Sequence, residues 1–492
     1  MLSFNNSMKI FMKHIQNSII ILAYALIFIF MSCRKEPPTA IALNSTNYQI
    51  PIANAGDDKK IKFPLDSVFL DGSLSYDPDN KIKKYQWSKV GGPVSHSIRN
   101  PENINTWITS LVKGDYFFEL RIIDINDRNS RDTVRINVEG PDITASCANR
   151  PESNATLVPL GNLSLARATL QAGTAGSKIL FAAGWYGTTH SSRVDIYDTI
   201  THTWSTAELT EPLRDGMTVA SVGPKILFAG GGDDDWIDVV SRVDMYDASN
   251  NTWSVAELSR ARNYLSSATI GNKVFFAGGG IWGPLTTGST QLFHIGSTVV
   301  DIYDNATNSW TTSTLSEGRF ELSATTAGNK IFFAGGLKSI YTVSDKIDVY
   351  DASFGAWSES NLQELKTGQA SVAFDNKIMW AGGANTGFWY GYNLTNLVEI
   401  RDVNTGAQTF DCISLNAHFK CVRKNDNLVF FTGNISNFNK FDVYNITTNT
   451  WRIGVLPFSI RGAAIISVNN TIYIAGGWVD GVASSQVWKL EF

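Results

Sequence analysis

Lys178-Ile179-Leu180-Phe181-Ala182-Ala183-Gly184, then Tyr197-Asp198, then Trp204: this order of apolar run, glycine, Tyr-Asp pair and tryptophan decides the fold, because it recurs. Close variants of the run stand at 225–231 (KILFAGG), 273–279 (KVFFAGG), 330–336 (KIFFAGG), 377–383 (KIMWAGG) and 471–477 (TIYIAGG). Tyr246-Asp247 leads to Trp253, Tyr303-Asp304 to Trp310, Tyr350-Asp351 to Trp357 and Tyr444-Asn445 to Trp451, always with seven residues from Tyr to Trp. The closing residue of each run falls at Gly184, Gly231, Gly279, Gly336, Gly383, Asn434 and Gly477, at intervals of 43 to 57 residues. A strand-built unit of that period, in a chain that is 12% aromatic with 40 glycines, predicts an all-β array of short sheets.

A finer spacing orders each unit. Arg167 stands eleven residues before Lys178, and Arg214, Arg262, Arg319 and Lys366 stand eleven before Lys225, Lys273, Lys330 and Lys377. Each unit reads as four strands: one after the Arg, one in the apolar run, one ending at Tyr-Asp and one beginning at the Trp. Paired glycines allow positive φ and close backbone approach. Tyr and Trp give broad faces for packing one sheet on the next. On these motifs, residues 156–492 resemble a kelch β-propeller. The resemblance implies seven blades, with residues 156–163 supplying the last blade's missing strand and removing the open edge. Two units depart from the pattern. The fifth has Arg401-Asp402 and Phe410 in place of Tyr-Asp and Trp, and the sixth has Gly433-Asn434 for the doublet and no Arg at its start.

Residues 50–138 stand outside the repeat. Short alternating runs at Ser67–Leu70, Lys84–Trp87, Tyr116–Ile123 and Thr133–Val138, separated by turn clusters, predict a β-sandwich with Trp87 at its centre. Ala53-Asn54-Ala55-Gly56, Leu70-Asp71-Gly72-Ser73, Asp77-Pro78-Asp79, Tyr85-Gln86-Trp87 and Phe118 to Asp124 make this stretch similar to a PKD domain, an Ig-like module. That resemblance implies a spacer or adhesion module. Asp71, Asp77 and Asp79 are expected to cap turns and not to hold calcium. Residues 139–155 are read as a linker.

At the N-terminus, Lys9 and Lys13 precede an apolar run from Ile19 to Met31, too short to span a bilayer comfortably but suited to a signal-peptide core. Phe30-Met31-Ser32-Cys33 resembles a bacterial lipobox, although Phe30 replaces the usual leucine. The resemblance implies cleavage of residues 1–33 before a lipidated Cys33, with 34–49 as a tether. The location expected is the bacterial cell envelope, on the outer membrane. Cys147, Cys412 and Cys421 are an odd set, expected as free thiols; a Cys412–Cys421 pair is opposed by their positions across a blade interface.

In kelch propellers the loops after the glycines share a face with the connections entering each blade. The resemblance therefore gathers Trp185, Tyr186, Trp236, Trp282, Trp389, Tyr390 and Trp478 on one face, with Arg214, Arg262 and Arg319 entering from the same side as Arg167 and Arg461. Aromatic faces and guanidinium forks suit sugars, carboxylates and peptides. The competing expectation is structural, with each Arg pairing backbone or Asp between blades. Insertions 280–297 and 384–396 are expected to protrude, and Asp233, Asp234, Asp235 and Asp238 to form a solvated turn.

A net charge of −4 without a basic block excludes nucleic acid as a partner. Two enzyme types share the architecture, so fold does not decide function. A copper radical oxidase needs a histidine and Tyr–Cys set that His190, His202, His294 and His418 do not supply. A sialate mutarotase needs only an acid, a base and a cup, and neither Glu321 nor Asp233 has an assigned role. The expectation is a non-enzymatic, lipid-anchored monomer without metal or cofactor, binding glycan or protein at the loop face. The alternative is a sugar-modifying enzyme of the mutarotase kind.

Overall fold

The computed structural model describes residues 49–492, apart from 64, 80, 94–95, 141–146, 148, 188, 212–214, 233–237, 285–291, 388–392, 415–418 and 433–438. Every named element among the described residues is a β-strand, so the chain is all-β. The lipobox with Cys33, the tether, Arg214, Trp236, Trp389, Tyr390 and Asp233–Asp235 lie outside the described residues.

Two sheets build the N-terminal sandwich. One holds strands Lys59–Lys62, Ile82–Gly91, Gly114–Asp124 and Asn129–Glu139; the other holds Val68–Asp71, Ser97–Ile98 and Asn105–Thr109. Alternation sends Leu70, Trp87, Ile108, Phe118, Leu120, Ile122, Val134 and Ile136 into one core. The indole N–H of Trp87 donates to the Asn103 carbonyl at 3.2 Å. Two of the three aspartates cap turns, and the third makes an ion pair. Asp71 accepts the Ser73 amide, Asp77 accepts those of Asp79 and Lys81, and Asp79 pairs with Arg128.

Among the described residues, seven sheets built on a common antiparallel four-strand order follow. The first consists of Gln171–Ala175, Lys178–Ala182, Arg193–Asp198 and Trp204–Glu208, in that order. In the last, Ala464–Val468, Thr471–Ala475 and Gln486–Glu491 are joined at the outer edge by Thr156–Asn162, paired antiparallel to Gln486–Glu491. The sixth gains a fifth strand, Glu152–Asn154, parallel to Thr450–Val455, so part of the expected linker belongs to a sheet. The first strand of each sheet packs on the first strand of the next, and Ala464–Val468 packs on Gln171–Ala175.

The repeated phrase is explained by this stacking. Tyr197 lies opposite Trp204 in register, their rings 4.8 Å apart, and both pack with Tyr473 of the last sheet. Tyr246 and Trp253 pack on the first sheet in the same way, and Tyr303 and Trp310 on the second. The carboxylate after each Tyr caps the turn into the outer strand: Asp198 accepts the Ile200 amide, Asp247 that of Ser249 and Asp304 that of Ala306. Gly230 shows why a doublet is needed. Its φ is +68°, and a Cβ there would lie 2.5 Å from the Arg262 carbonyl of the next unit.

The cysteines correct the sequence expectation. Cys147 and Cys412 form a disulfide across 265 residues, their Cα atoms 6.0 Å apart, while among the described residues Cys421 is free and half-buried. The pairing was not legible because it depends on the linker folding back onto the fifth sheet. Arg150 holds the same segment down, bonding Asp442 at 3.1 Å and lying over Trp451 at 4.4 Å. Cys147, Cys412 and Asp411 also form a group with metal-ligand proximity, but sulfurs bonded to each other are not thiolate ligands.

Candidate functional site

Six short connections enter the sheets through one backbone device. Thr169, Gly216, Tyr264, Glu321, Gly368 and Gly462 occupy equivalent positions, and all have left-handed φ between +49° and +64°. The kink turns each amide toward the neighbouring sheet. Thr169 donates to the Gly462 carbonyl, Tyr264 to that of Gly216, Glu321 to that of Tyr264 and Gly368 to that of Glu321. The result is a hydrogen-bonded collar. Glycine adopts this conformation at little cost, whereas Thr169, Tyr264 and Glu321 hold it against a steric penalty of about 1 kcal/mol or more each.

The collar surrounds a cavity of about 470 Å³ to which all seven sheets contribute. Gln171, Asp215, Tyr264, Glu321, Gln369 and Lys420 are its principal polar walls. The Tyr264 hydroxyl donates to Asp215 Oδ2 at 2.7 Å, and the Thr367 hydroxyl donates to Glu321 Oε2 at 3.2 Å. Enclosure raises the Glu321 carboxyl to about 7, because burial disfavours its charged form more than Thr367 supports it. Burial also lowers the Lys420 ammonium to about 8. One cavity thus offers a carboxyl and an amine that both titrate near neutrality, beside a tyrosine–carboxylate pair.

The arginine series has a different job. Arg262 pairs with Asp301 at 2.6 Å and donates to the Val299 carbonyl; Arg319 pairs with Asp348 and donates to the Gly335 and Lys346 carbonyls. Both side chains are fully buried, so Arg262 and Arg319 are committed to these carboxylates and carbonyls and do not line the cavity. Arg167 repeats the arrangement with Asp195. Each partner carboxylate also caps the chain arriving from the preceding sheet: Asp195 accepts the Ser164 amide, Asp301 that of Ser259 and Asp348 that of Ser316. Arg461 does not belong to this series. It pairs in register with Trp478, as Ala168 does with Trp185, and its guanidinium lies 5.2 Å from the Trp478 ring.

Trp185, Tyr186, Trp282 and Trp478 sit on hairpins after the glycines, and none lines the axial cavity. Trp185 packs on His190 at 4.5 Å, Tyr186 is half-exposed, and Trp478 leans on Gly462 of the collar. Trp282 lies opposite His294, which is buried against Phe320, bonded to Asn263 and pushed down to about 4 by burial. The insertion at Gly280–Gly296 joins Leu337–Val343 of the following unit in a small sheet of its own. Sequence reasoning overlooked Gln171, Asp215, Tyr264, Gln369 and Lys420. A signal existed: the residue two after each Arg is Gly in two units, but Thr, Tyr and Glu in three.

Comparison with known proteins bears on the sandwich. Residues 55–138 match the KIAA0319-like PKD domain family. This segment is a PKD domain. Similar stretches occur in the dyslexia-associated protein KIAA0319 homolog of Rattus norvegicus, 34% identical over 99 residues, which are 20% of this chain and 9% of that protein. Low-density lipoprotein receptor-related protein 11 of Homo sapiens is 33% identical over 88 residues, 18% of this chain and 17% of that protein. The chain therefore spans less than a fifth of either relative's length. Among solved structures, that of YjhT aligns with a TM-score of 0.42 at 13% identity, covering 67% of this chain and 95% of that one. The PKD domain lies wholly outside the axial cavity.

Proposed function

We propose that this chain is a lipid-anchored protein of the bacterial cell envelope, and that its seven sheets are the blades of one closed kelch-type propeller. The propeller binds a glycan at its axial mouth, with the PKD domain as spacer. One observation carries the binding claim: a cavity of about 470 Å³ gathers Asp215, Tyr264, Glu321 and Lys420, with Tyr264 and Glu321 on left-handed backbone. Its size suits a sugar ring or two better than a folded partner. Strain held at a polar cavity is a mark of a working site. The anchor rests on Phe30-Met31-Ser32-Cys33 and the apolar run before it.

Saturation-transfer NMR of the full chain against a panel of mono- and oligosaccharides tests the reading. Tyr264→Phe and Glu321→Gln should each weaken the bound sugar at least tenfold while circular dichroism stays unchanged. Affinities unaffected by both changes would place any binding elsewhere.

A second reading draws on Glu321 itself. A carboxyl titrating at about 7 in the same cavity as an amine titrating at about 8 suits general acid–base work on a reducing sugar, where opening the ring needs a proton given to one oxygen and taken from another. Exchange between sugar anomers, measured by NMR at pH 7, should then accelerate with the wild-type chain and fall to the uncatalysed rate with Glu321→Gln.

A further inference from the structure

A second cavity, of about 400 Å³, lies where the PKD domain meets the fourth and fifth sheets, away from the axial mouth. Phe63, Asp66, His96, Ser110 and Leu111 come from the PKD side, and Asp345, Asn361, Gln363, Arg401 and Gln408 from the sheets. The seam is held by the Lys113–Glu364 ion pair at 3.0 Å and an edge-on contact of Phe63 with Phe410 at 4.8 Å.

Two side chains in its wall stand out. Asp345 is 5% exposed and Gln363 is 2% exposed, yet Asp345 Oδ2 and Gln363 Nε2 make no hydrogen bond among the described residues. They are neighbours, since the Leu362 amide donates to the Asp345 carbonyl at 2.7 Å. A buried acceptor and a buried donor left open are costly to the fold unless something fills them. The cations nearby are committed elsewhere. Lys346 pairs with Glu359 at 2.7 Å, and Arg401 bonds Ser360, the Asn361 carbonyl and Glu399.

We propose that this seam cavity binds a single sugar ring or a comparable polyol. The chemistry selects the class. A metal ion or an ammonium group would satisfy Asp345 but offers nothing to the Gln363 N–H. An anion would accept from Gln363 but face an unpaired carboxylate. A hydroxyl both donates and accepts, and vicinal hydroxyls on one ring serve both side chains at once. Phe63 and Leu111 add an apolar wall that suits the C–H face of a sugar and gives water no partner. Domain junctions are a usual place for such sites.

The test uses the full chain, titrated with D-glucose, D-galactose, N-acetyl-D-glucosamine and glycerol, and followed by saturation-transfer NMR and calorimetry. At least one probe should bind. Asp345→Asn, nearly isosteric, and Phe63→Ala, on the PKD side of the seam, should each weaken it at least tenfold with thermal unfolding still cooperative. A probe weakened by both seam changes and not by Glu321→Gln reports on the seam, whereas one weakened by Glu321→Gln alone reports on the axial mouth, so the failure of either reading is visible by itself. Binding that survives both seam changes, or a crystal soaked in the probes that shows ordered water only between Asp345 and Gln363, would overturn the proposal.

Discussion

In the fourth sheet, Arg319 and Asp348 meet in a fully buried ion pair; in the seventh, Ile460 and Trp488 occupy the same two registers and share one apolar cluster. The first and third sheets match the fourth with Arg167–Asp195 and Arg262–Asp301, and the fifth and sixth fall between the poles. The fifth has Lys366 and Glu399 at these positions, both buried, but Lys366 donates to the Leu397 carbonyl at 2.9 Å and Glu399 pairs with Arg401 at 2.8 Å. The sixth has no Arg at its start, and Arg150 reaches in from the linker to Asp442. The position therefore needs filled volume and satisfied polar atoms, but not a charge pair as such. A buried pair is costly to desolvate, and a well-packed apolar pair serves as well; what is not tolerated is half of a pair.

The sharpest way to break this comparison is to leave half a pair. Arg319→Met strands Asp348 in the interior and should cost about 3–5 kcal/mol by chemical denaturation. Adding Asp348→Leu should recover most of that loss, moving the fourth sheet toward the seventh. If the double variant is no more stable than the single, the two solutions are not interchangeable and the comparison fails.

The sixth sheet tests the same idea through the linker. Arg150 and the Cys147–Cys412 disulfide together bring Asp442 its partner. Cys412→Ser should cost about 2–4 kcal/mol, and limited proteolysis should cut near residue 148 faster than in the parent chain. Equal cleavage rates would mean that Arg150 and Glu152–Asn154 hold the strap without the disulfide.

The framework was legible and the site was not, for one reason. Tyr-Asp, Trp and the glycine doublet recur because every sheet meets the same neighbour, and recurrence is visible in a sequence. Arg461 shows the limit of counting. It sits one residue late, and only strand register reveals Ile460 at the buried position and Arg461 beside Trp478. Tyr264 and Glu321 stand two residues after an Arg, as Thr169 does, but the residue type changes from unit to unit and Lys420 has no Arg before it, so a cavity lined once per unit shares positions and not a residue signature. The disulfide was hidden likewise, since its partner lies 265 residues away.

Glu321 and His294 are opposite cases of burial, and pH separates them. Burial raises Glu321 from an ordinary 4.5 to about 7, so the folded chain keeps a proton that the unfolded chain has released. Its contribution to stability therefore declines as pH rises from about 4.5 to about 7, then stays flat. Burial lowers His294 from 6.5 to about 4, so its contribution runs the other way, growing as pH rises across that interval. Glu321→Gln should match the parent chain's melting temperature near pH 4 and exceed it by a margin that levels off above pH 7. A margin that does not change with pH would show that Glu321 is not held away from water.

The smallest effect compares two tyrosines of the repeated phrase. The Tyr246 hydroxyl donates to Asn251 Oδ1 at 2.7 Å, and Tyr303 and Tyr444 do the same with Asn308 and Asn449. Each of these asparagines has a left-handed φ, which Asn tolerates better than most residues. In the fourth sheet the matching turn residue is Gly355, with a φ of +64° and no side-chain oxygen to offer Tyr350. Tyr246→Phe should therefore cost about 1 kcal/mol, the net worth of one hydrogen bond, while Tyr350→Phe should cost a few tenths at most. Denaturation midpoints for the two variants and for Asn251→Gly decide the matter. If the turn's contribution is conformational and not hydrogen-bonded, both phenylalanine variants will be neutral and Asn251→Gly will be as well. If the hydrogen bond carries it, Asn251→Gly will lose what Tyr246→Phe loses, and combining the two changes will lose no more.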